Sequence, residues 1–256
     1  MAKKIISYNV NGLRAAISKG FIDWLKLENP DILCIQETKL QQGQIDTSDF
    51  EKLGYYHYWH YADKKGYSGV ALFTKQKPDN ISIGIEIQKF DSEGRLIRAD
   101  FGDITLLATY FPSGTTGDVR QAIKMEWLEE ILKFTTQLQK VRPKLIVSGD
   151  FNICHKPIDI NHPEKHETSS GFLPEEREWF DRFVGSGFVD SFRVFNQQPY
   201  QYSWWSYRAN SRAKNLGWRI DYHMVTEPLK SVLKNAGILN NVYHSDHCPV
   251  TVEIDF

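Results

Sequence analysis

Lys144-Leu145-Ile146-Val147-Ser148-Gly149-Asp150-Phe151-Asn152 gives the clearest indication of the fold class of this 256-residue chain. Its apolar run predicts a buried strand that stops abruptly and presents Asp150 and Asn152 at its end. Active-site groups of layered α/β folds commonly lie at such strand ends. By itself, the stretch also fits a strand followed by an Asx-type turn.

A second stretch near the start of the chain has the same pattern. Lys4-Ile5-Ile6-Ser7 leads to Asn9 as the 144–148 strand leads to Asp150. If the two halves of the chain are related by a pseudo-twofold axis, the two polar strand ends converge on one edge. This arrangement predicts two packed mixed β-sheets flanked by helices.

The remaining periodicity divides the chain into a first α/β part, a β-rich part and a mixed part. The spacing predicts one helix over 13–28 between the first strand and a strand over 31–36, which together form a β-α-β unit ending at Glu37. Short β-branched or aromatic runs between residues 55 and 110 predict an antiparallel meander. Its strands are expected at 55–61, 68–74, 81–87, 95–101 and 104–110.

Two further helices and three strands are predicted after residue 117. An apolar stripe over 118–140 predicts a helix with Asp118 as its cap, and Pro174 opens another helix that ends near residue 185. Residues 155–173 read as a polar surface loop. Strands are expected at 219–226, 232–238 and 249–255. No linker or low-complexity run divides the chain, so one domain over 1–256 is expected.

Composition limits the function classes. Apolar residues make up 41% and charged residues 25%, which are ordinary globular values. The net charge of −1 offers no global attraction to nucleic acid. Three dispersed cysteines argue against a disulfide framework and a structural zinc site. Neither a signal peptide nor a membrane span is recognisable, so a soluble intracellular protein that does not bind membranes is expected.

Five clusters of polar residues follow predicted strands or turns: Asn9 with Asn11, Glu37, Asp150 with Asn152, Asp221, and Asp246 with His247. Each alone also fits a solvated strand end, a paired acid or a turn. Together they contain four carboxylates, three carboxamides and one histidine, which suit a hard cation bound by oxygens, such as Mg²⁺. The implied reaction is metal-assisted hydrolysis of a phosphodiester.

Seven motifs in order resemble those of the exonuclease III family of apurinic/apyrimidinic endonucleases, within the endonuclease/exonuclease/phosphatase (DNase I-like) fold group. They are Ser7–Ala15, Leu33–Lys39, Gly66–Ala71, Tyr110–Pro112, Gly149–Asn152, Gly217–Tyr222 and Ser245–Pro249. The resemblance implies an α/β fold, a four-layered α/β sandwich. It also implies a Mg²⁺ cofactor that Mn²⁺ can replace, and hydrolysis of double-stranded DNA 5′ to abasic sites. A 3′-to-5′ exonuclease activity and trimming of 3′ ends are expected as well.

The resemblance also implies roles for individual residues. Glu37 is expected to be the principal metal ligand, with Asn9 and Asp246 close to the metal. The catalytic set is expected to comprise Asp150, which activates the attacking water; Asn152, which holds that water or a phosphate oxygen; His247, which contacts the phosphate; Asp221, which orients His247; and Tyr110, whose hydroxyl contacts the phosphate. Asn11 and Ser113 depart from the family pattern, which often has Asp and Asn there.

The segment from Tyr202 to Arg219 predicts a DNA-facing loop. It contains Arg208, Arg212, Lys214 and Arg219 among aromatic residues and no acid. A solvated loop over a hydrophobic cluster is the alternative. The resemblance implies a pocket for an extruded deoxyribose and contacts to the DNA, made by Arg14, Lys39, Gly66, Tyr67, Arg95, Trp204, Arg208, Trp218 and Ile220.

Two other functions compete with that of a DNA repair nuclease. A phosphoesterase of the same fold acting on a small substrate is disfavoured by the basic aromatic loop. A DNA-binding protein without catalysis would not need to keep carboxylates that repel phosphate. The family resemblance favours a monomer.

Overall fold

The structure, a computed structural model that describes residues 2–255, contains two six-stranded mixed β-sheets. The strands are β1 (Ala2–Asn9), β2 (Ile32–Gln36), β3 (Tyr56–His60), β4 (Val70–Thr74), β5 (Asn80–Ile83), β6 (Leu96–Phe101), β7 (Ile104–Tyr110), β8 (Lys144–Asp150), β9 (Phe188–Asp190), β10 (Asp221–Thr226), β11 (Leu233–Ile238) and β12 (Val250–Asp255). The helices are α1 (Leu13–Ile17), α2 (Phe21–Glu28), α3 (Ser48–Lys52), α4 (Gln88–Asp91), α5 (Asp118–Val141), α6 (Pro174–Gly185), α7 (Ser191–Phe195) and α8 (Glu227–Lys230).

One sheet has the strand order β11-β12-β1-β2-β4-β3 and the other β5-β6-β7-β8-β10-β9. In each sheet one central pair is parallel, β1 with β2 and β7 with β8, and the other pairs are antiparallel. Parallel neighbours end at the same edge, so Asn9 pairs with Gln36 and Tyr110 pairs with Asp150. The polar residues that follow these strands are thereby brought to one edge.

Alternate side chains of the central strands lie in different cores. Ile146 of β8 belongs to the core between the sheets, whereas Leu145 and Val147 lie in the core with α5 and α6. Cys34 of β2 lies between the sheets, and Leu33 packs towards α1 and α2. Because each sheet is covered by helices on its outer face, the molecule has four layers. The predicted α/β sandwich is confirmed.

The predicted helix over 13–28 is wrong in one respect, because it is two helices. α1 ends at Ile17 and α2 begins at Phe21. Between them Gly20 adopts φ 92°, a left-handed conformation that an α-helix cannot contain. Apolar spacing continues across the break, so periodicity alone does not detect it.

The predicted meander is antiparallel, but it does not form one sheet. β3 and β4 belong to the first sheet, and β5, β6 and β7 belong to the second. β4 already has β2 and β3 as its two neighbours, which leaves no edge for β5. The chain therefore crosses to the other sheet after Thr74.

Other predictions differ in detail. Gly117, not Asp118, caps α5, and Asp118 lies in its first turn without a side-chain capping bond. The loop over 155–173 is confirmed, although Asp159, Ile160 and Phe172 within it are buried. The short elements α3, α4, α7, α8 and β9 were not predicted, because three to five residues carry too little periodicity.

The cysteines Cys34, Cys154 and Cys248 are buried free thiols. Among residues 2–255, no helix has the length and hydropathy needed to span a membrane.

His223 connects the two sheets through a buried imidazole. Its Nε2 lies 3.0 Å from the carbonyl oxygen of Val250 in the first sheet, and its Nδ1 lies 2.7 Å from Oγ of Ser148 in its own sheet. Because Nε2 must donate to a carbonyl, the neutral ring satisfies both contacts when the serine hydroxyl donates to Nδ1. Burial lowers the pKa of His223 to about 4.

His223 is expected to make stability depend on pH. The unfolded chain takes up this proton near pH 6.5 and the folded chain only near pH 4, so the free energy of unfolding falls as the pH drops through this range. The loss attributable to His223 is about 3 kcal/mol. Urea unfolding of the wild type and His223→Gln from pH 7.5 to 4 measures it. The stability advantage of the wild type should shrink as the pH falls. A constant difference would contradict the buried neutral imidazole.

Candidate active site

The side chain of Asn9 joins the polar ends of the two sheets. Asn9 ends β1 and is fully buried. Its Nδ2 donates to Oδ2 of Asp150 at 2.8 Å and to Oε1 of Glu37 at 3.0 Å. A single amide therefore holds two carboxylates from different sheets. The predicted convergence of the strand ends is confirmed.

Asp150 and Asn152 form a tight turn at the end of β8. The backbone N–H of Asn152 donates to Oδ1 of Asp150 at 2.8 Å, and Asn152 has φ 53°, a conformation that asparagine tolerates better than most residues. Nδ2 of Asn152 donates to the carbonyl oxygen of Phe111 at 3.0 Å. The Asx-type turn is thus present, and it places both side chains beside the other polar strand ends.

Asp221 and His247 form a buried pair next to Asp150. Nδ1 of His247 lies 2.9 Å from Oδ2 of Asp221, which also accepts the hydroxyl of Ser203 at 2.6 Å. Asp221 is the β10 residue paired with Asp150. Nε2 of His247 lies 3.9 Å from Oδ2 of Asp150. The Asp221 contact leaves Nε2 as the imidazole nitrogen on the Asp150 side.

The protonation of His247 and that of Asp150 each depend on the neighbouring charges. Burial would lower the pKa of His247, but the Asp221 carboxylate and its hydrogen bond raise it to about 10, so the imidazolium is favoured at neutral pH. Burial and the Asp221 charge raise the pKa of Asp150 to about 7, although His247 and Asn9 oppose the shift. A carboxyl group with such a pKa can exchange protons at neutral pH.

Glu37 and Tyr110 lie on the other side of Asn9. The hydroxyl of Tyr110 donates to Oε1 of Glu37 at 2.9 Å. Burial and the Glu37 charge raise the pKa of Tyr110, so its hydroxyl remains a donor. Burial would raise the pKa of Glu37, but the Lys39 ammonium, 2.9 Å from Oε2, and the Asn9 amide lower it.

Asp246 accepts hydrogen bonds from three neighbouring side chains, those of Asn11, Trp204 and Ser245. Its Oδ1 accepts from Nδ2 of Asn11 at 3.0 Å, and its Oδ2 accepts from the indole N–H of Trp204 at 3.0 Å. The oxygen of the same Asn11 amide accepts from Lys39. A carboxylate at position 11 could not donate to Asp246, so the asparagine found here connects Asp246 to Lys39.

The donor atoms near Glu37 suit a divalent cation that prefers oxygen ligands. Glu37 and Asp246 provide carboxylates, and Asn9 provides an amide. The Lys39 ammonium on Oε2 of Glu37 shows that a cation can reach this oxygen. Asp150, Asp221 and His247 form a second group whose ligand atoms lie within 4.8 Å of one another, but in it the Asp221 charge is balanced by His247.

An apolar pocket adjoins the polar group. Trp204, Trp218 and Ile220 belong to one hydrophobic cluster, and the two indole rings meet edge to face with centroids 5.9 Å apart. They line a groove of about 840 Å³ whose wall also includes catalytic and metal candidates, namely Glu37, Tyr110, Asn152, Asp246 and His247. The candidate catalytic and metal-binding residues and the apolar pocket therefore share one cleft.

Several predicted DNA contacts lie on the surface. Arg14 on α1, Gly66 in the β3–β4 loop and Arg208 in the 202–219 loop are exposed. Tyr67 is half-buried, and its hydroxyl accepts from Arg95 at 3.1 Å and from Arg120. Nζ of Lys39 lies on Glu37.

Two basic residues were predicted to face DNA but are buried. Arg95 is 1% exposed, and its Nη1 donates to the carbonyl oxygen of Tyr110 at 3.0 Å. Arg219 is also 1% exposed and forms ion pairs with Asp159 at 2.8 Å and Asp190 at 2.6 Å. In this structure both guanidinium groups bind other groups of the protein. Arg95 instead supports Tyr110, whose ring lies 4.9 Å from its guanidinium.

A second basic residue of the 202–219 loop also binds other parts of the protein. Arg212 donates to backbone carbonyls of Asn240 and Val242 and lies 4.7 Å from the ring of Trp205 and 4.1 Å from that of Tyr243. These contacts tie the loop to the segment before β12. The basic surface of the loop is consequently smaller than its sequence indicates.

Three supporting residues were not predicted. Ser203 donates to Asp221, and Glu93 pairs with both Arg95 at 2.6 Å and Arg120 at 2.6 Å. Glu93 and Arg120 lie in segments without a strand-end pattern, so nothing local distinguished them. Ser203 lies between aromatic residues of the 202–219 loop, and no sequence pattern there marks a serine as a partner of a buried acid.

Comparisons with known proteins agree with this geometry. A profile described as the Endonuclease/Exonuclease/phosphatase family matches residues 6–247. An exodeoxyribonuclease of Bacillus subtilis (strain 168) is 45% identical over 254 residues, which cover 98% of this chain and 99% of that protein.

Two solved structures share the fold. An AP endonuclease from Archaeoglobus fulgidus has a TM-score of 0.91 at 30% identity, covering 99% of this chain and 100% of that one. A 3′ phosphatase from Neisseria bound to a product DNA hairpin has a TM-score of 0.91 at 29% identity and covers 100% of both chains.

The predicted resemblance is confirmed, and so is the prediction of an enzyme. The chain belongs to the endonuclease/exonuclease/phosphatase family, as a nuclease of the exonuclease III type.

Proposed function

We propose that this chain is a divalent-metal-dependent DNA repair nuclease that hydrolyses the phosphodiester 5′ to abasic sites, with 3′-to-5′ exonuclease and 3′-end-trimming activity. The main support for the proposal is the shared groove, whose wall joins Glu37, Tyr110, Asn152, Asp246 and His247 to the apolar pocket of Trp204, Trp218 and Ile220. A phosphoesterase for a small substrate would have no use for that pocket and the adjoining basic loop.

Asp150 acts as the base for the attacking water. Its raised pKa gives it enough basicity to take the proton at neutral pH, and the hydrogen bonds from Asn9 and from the backbone of Asn152 fix its orientation. Asn152 holds the same water or a phosphate oxygen through its side chain.

His247 and Tyr110 stabilise negative charge on the phosphate oxygens. The imidazolium of His247, kept charged by Asp221, presents Nε2 as a donor, and the hydroxyl of Tyr110, which donates to Glu37 here, would donate to the phosphate instead when substrate binds. Donors aimed at developing charge in a site with little water lower the barrier effectively.

Glu37, Asn9 and Asp246 are the residues that would hold Mg²⁺, with Mn²⁺ as a substitute. The cation would supply Lewis-acid stabilisation of charge on phosphate and leaving-group oxygens. Both ions favour carboxylate and amide oxygens over sulfur, in agreement with this donor set.

DNA recognition combines local positive charge with a pocket that excludes intact nucleotides. Arg14, Lys39, Gly66 and Tyr67 would contact the phosphate backbone, and Arg208 would enter the duplex. An abasic sugar costs little to extrude and has no base that would clash with the tryptophans, which favours damaged over intact sites. We further propose that residues 1–256 act as one domain and as a monomer, on DNA in the cytoplasm or nucleoid.

Incision of a duplex with one synthetic abasic site should require metal and Asp150. Asp150→Asn, which removes the base but keeps the shape, should lower the single-turnover rate by at least about 100-fold while DNA binding persists. Glu37→Ala should need a higher Mg²⁺ concentration, since it loses a cation ligand. Asp103→Asn, at the opposite end of β7, is the matched control and should cleave normally. Undiminished cleavage by Asp150→Asn would contradict its role as the base.

The pocket should decide the ratio of abasic to intact-site cleavage. Trp204→Ala enlarges the pocket and should reduce this ratio, because a full nucleotide then fits more easily. Trp204→Phe keeps an aromatic wall but loses the indole N–H that donates to Asp246, so it should preserve the ratio and raise the Mg²⁺ concentration needed for half-maximal cleavage. Cleavage of both substrates at several Mg²⁺ concentrations separates the effects. An unchanged ratio in Trp204→Ala would count against the pocket.

A further inference from the structure

A buried ion pair outside the groups described above contacts the active-site strand end. Nζ of Lys124 on α5 lies 2.5 Å from Oε1 of Glu176 on α6, and both side chains have no exposed surface. Removing two charges from water costs several kcal/mol per ion, and apolar residues of the same volume often stabilise a protein as well or better. The attraction between the two charges alone therefore does not explain the pair.

The polar atoms of the pair are bound to two backbone segments of the site. Nζ of Lys124 also donates to the carbonyl oxygen of Asn152 at 2.8 Å. Oε2 of Glu176 accepts from the backbone N–H of Gly171 at 2.6 Å and of Leu173 at 3.1 Å. The pair thus links the turn after β8 to the 170–173 loop.

Gly171 packs closely against the pocket. It has φ 98°, and a β-carbon there would lie 3.0 Å from Cζ3 of Trp218 and 3.2 Å from the carbonyl oxygen of Asn152. Its own carbonyl oxygen accepts from the backbone N–H of Cys154 at 2.7 Å. The loop therefore touches both the Trp218 wall and the turn that carries Asn152, so a displacement of the loop would alter both.

We propose that Lys124 and Glu176 are positioning residues that set the spacing between the Asn152 turn and the Gly171–Trp218 wall of the pocket. This inference rests on the proposed function, because it assigns the pair an effect on turnover and on the selection of abasic sites. Neither residue touches the substrate. Lys124 holds the Asn152 backbone, and Glu176 holds the loop that supports Trp218.

The double variant Lys124→Met/Glu176→Leu separates positioning from stability. It removes both buried charges and fills their volume, but it leaves the Asn152 carbonyl and the N–H groups of Gly171 and Leu173 without these partners, so the variant should be less stable than the wild type and more stable than Lys124→Met. On abasic DNA its kcat should fall about 10- to 100-fold with little change in KM, since small misplacements of reacting groups are costly. The ratio of abasic to intact-site cleavage should fall as well. The single variant Lys124→Met, which leaves Glu176 unpaired, should be strongly destabilised.

Amide hydrogen exchange provides a readout that does not depend on activity. The N–H groups of Gly171 and Leu173 should exchange faster in the double variant, because they lose the Glu176 carboxylate as acceptor. Lys133→Met, which removes an exposed lysine from the same helix, is the control and should match the wild type in every measurement.

The outcomes distinguish this proposal from the proposed function. A stable double variant with wild-type kcat, selectivity and exchange would overturn the positioning role while leaving the nuclease assignment intact. An inactive wild-type protein on abasic DNA would overturn both. A slow, unselective double variant that is fully folded at the assay temperature would support the positioning role.

Discussion

The amide of Asn9 is the contact on which the site depends, because it is the donor shared by Asp150 and Glu37 across the two sheets. Two carboxylates brought together in a protein interior repel each other unless donors or cations separate them. Asn9 provides two N–H bonds and no charge. Its position at the end of β1, parallel to β2, makes the bridge a consequence of the topology.

Positively charged side chains next to Asp150 and Glu37 also reduce the repulsion between these two acids, and they give the two acids different environments. His247, kept as an imidazolium by Asp221, faces Asp150, and the Lys39 ammonium lies on Glu37. Burial and Asp221 keep the pKa of Asp150 near neutrality, whereas that of Glu37 is lowered. Of the two acids that accept from the Asn9 amide, Asp150 is thus suited to proton transfer and Glu37 to cation binding.

The sequence predicted the strands and their polar ends well, because apolar runs, turn residues and strand-end acids leave local patterns. The sequence does not show which charged residues are buried, because their burial depends on contacts in the tertiary structure. Arg95 and Arg219 resemble DNA-binding residues in the sequence, but partners distant along the chain, such as Asp159 and Tyr110, bury them. The role of Lys124 was hidden for the same reason, since its partner Glu176 reads as an ordinary acid in a first helical turn.

In the proposed reaction, water deprotonated at Asp150 attacks phosphorus on the 5′ side of the abasic sugar. A single-turnover reaction in ¹⁸O-labelled water, followed by mass spectrometry of both fragments, reports the bond that is formed. One ¹⁸O atom is expected in the phosphate attached to the abasic sugar, with an unlabelled 3′-hydroxyl on the other fragment. An unlabelled phosphate together with an unsaturated 3′-aldehyde would indicate β-elimination and would rule out attack by water on phosphorus.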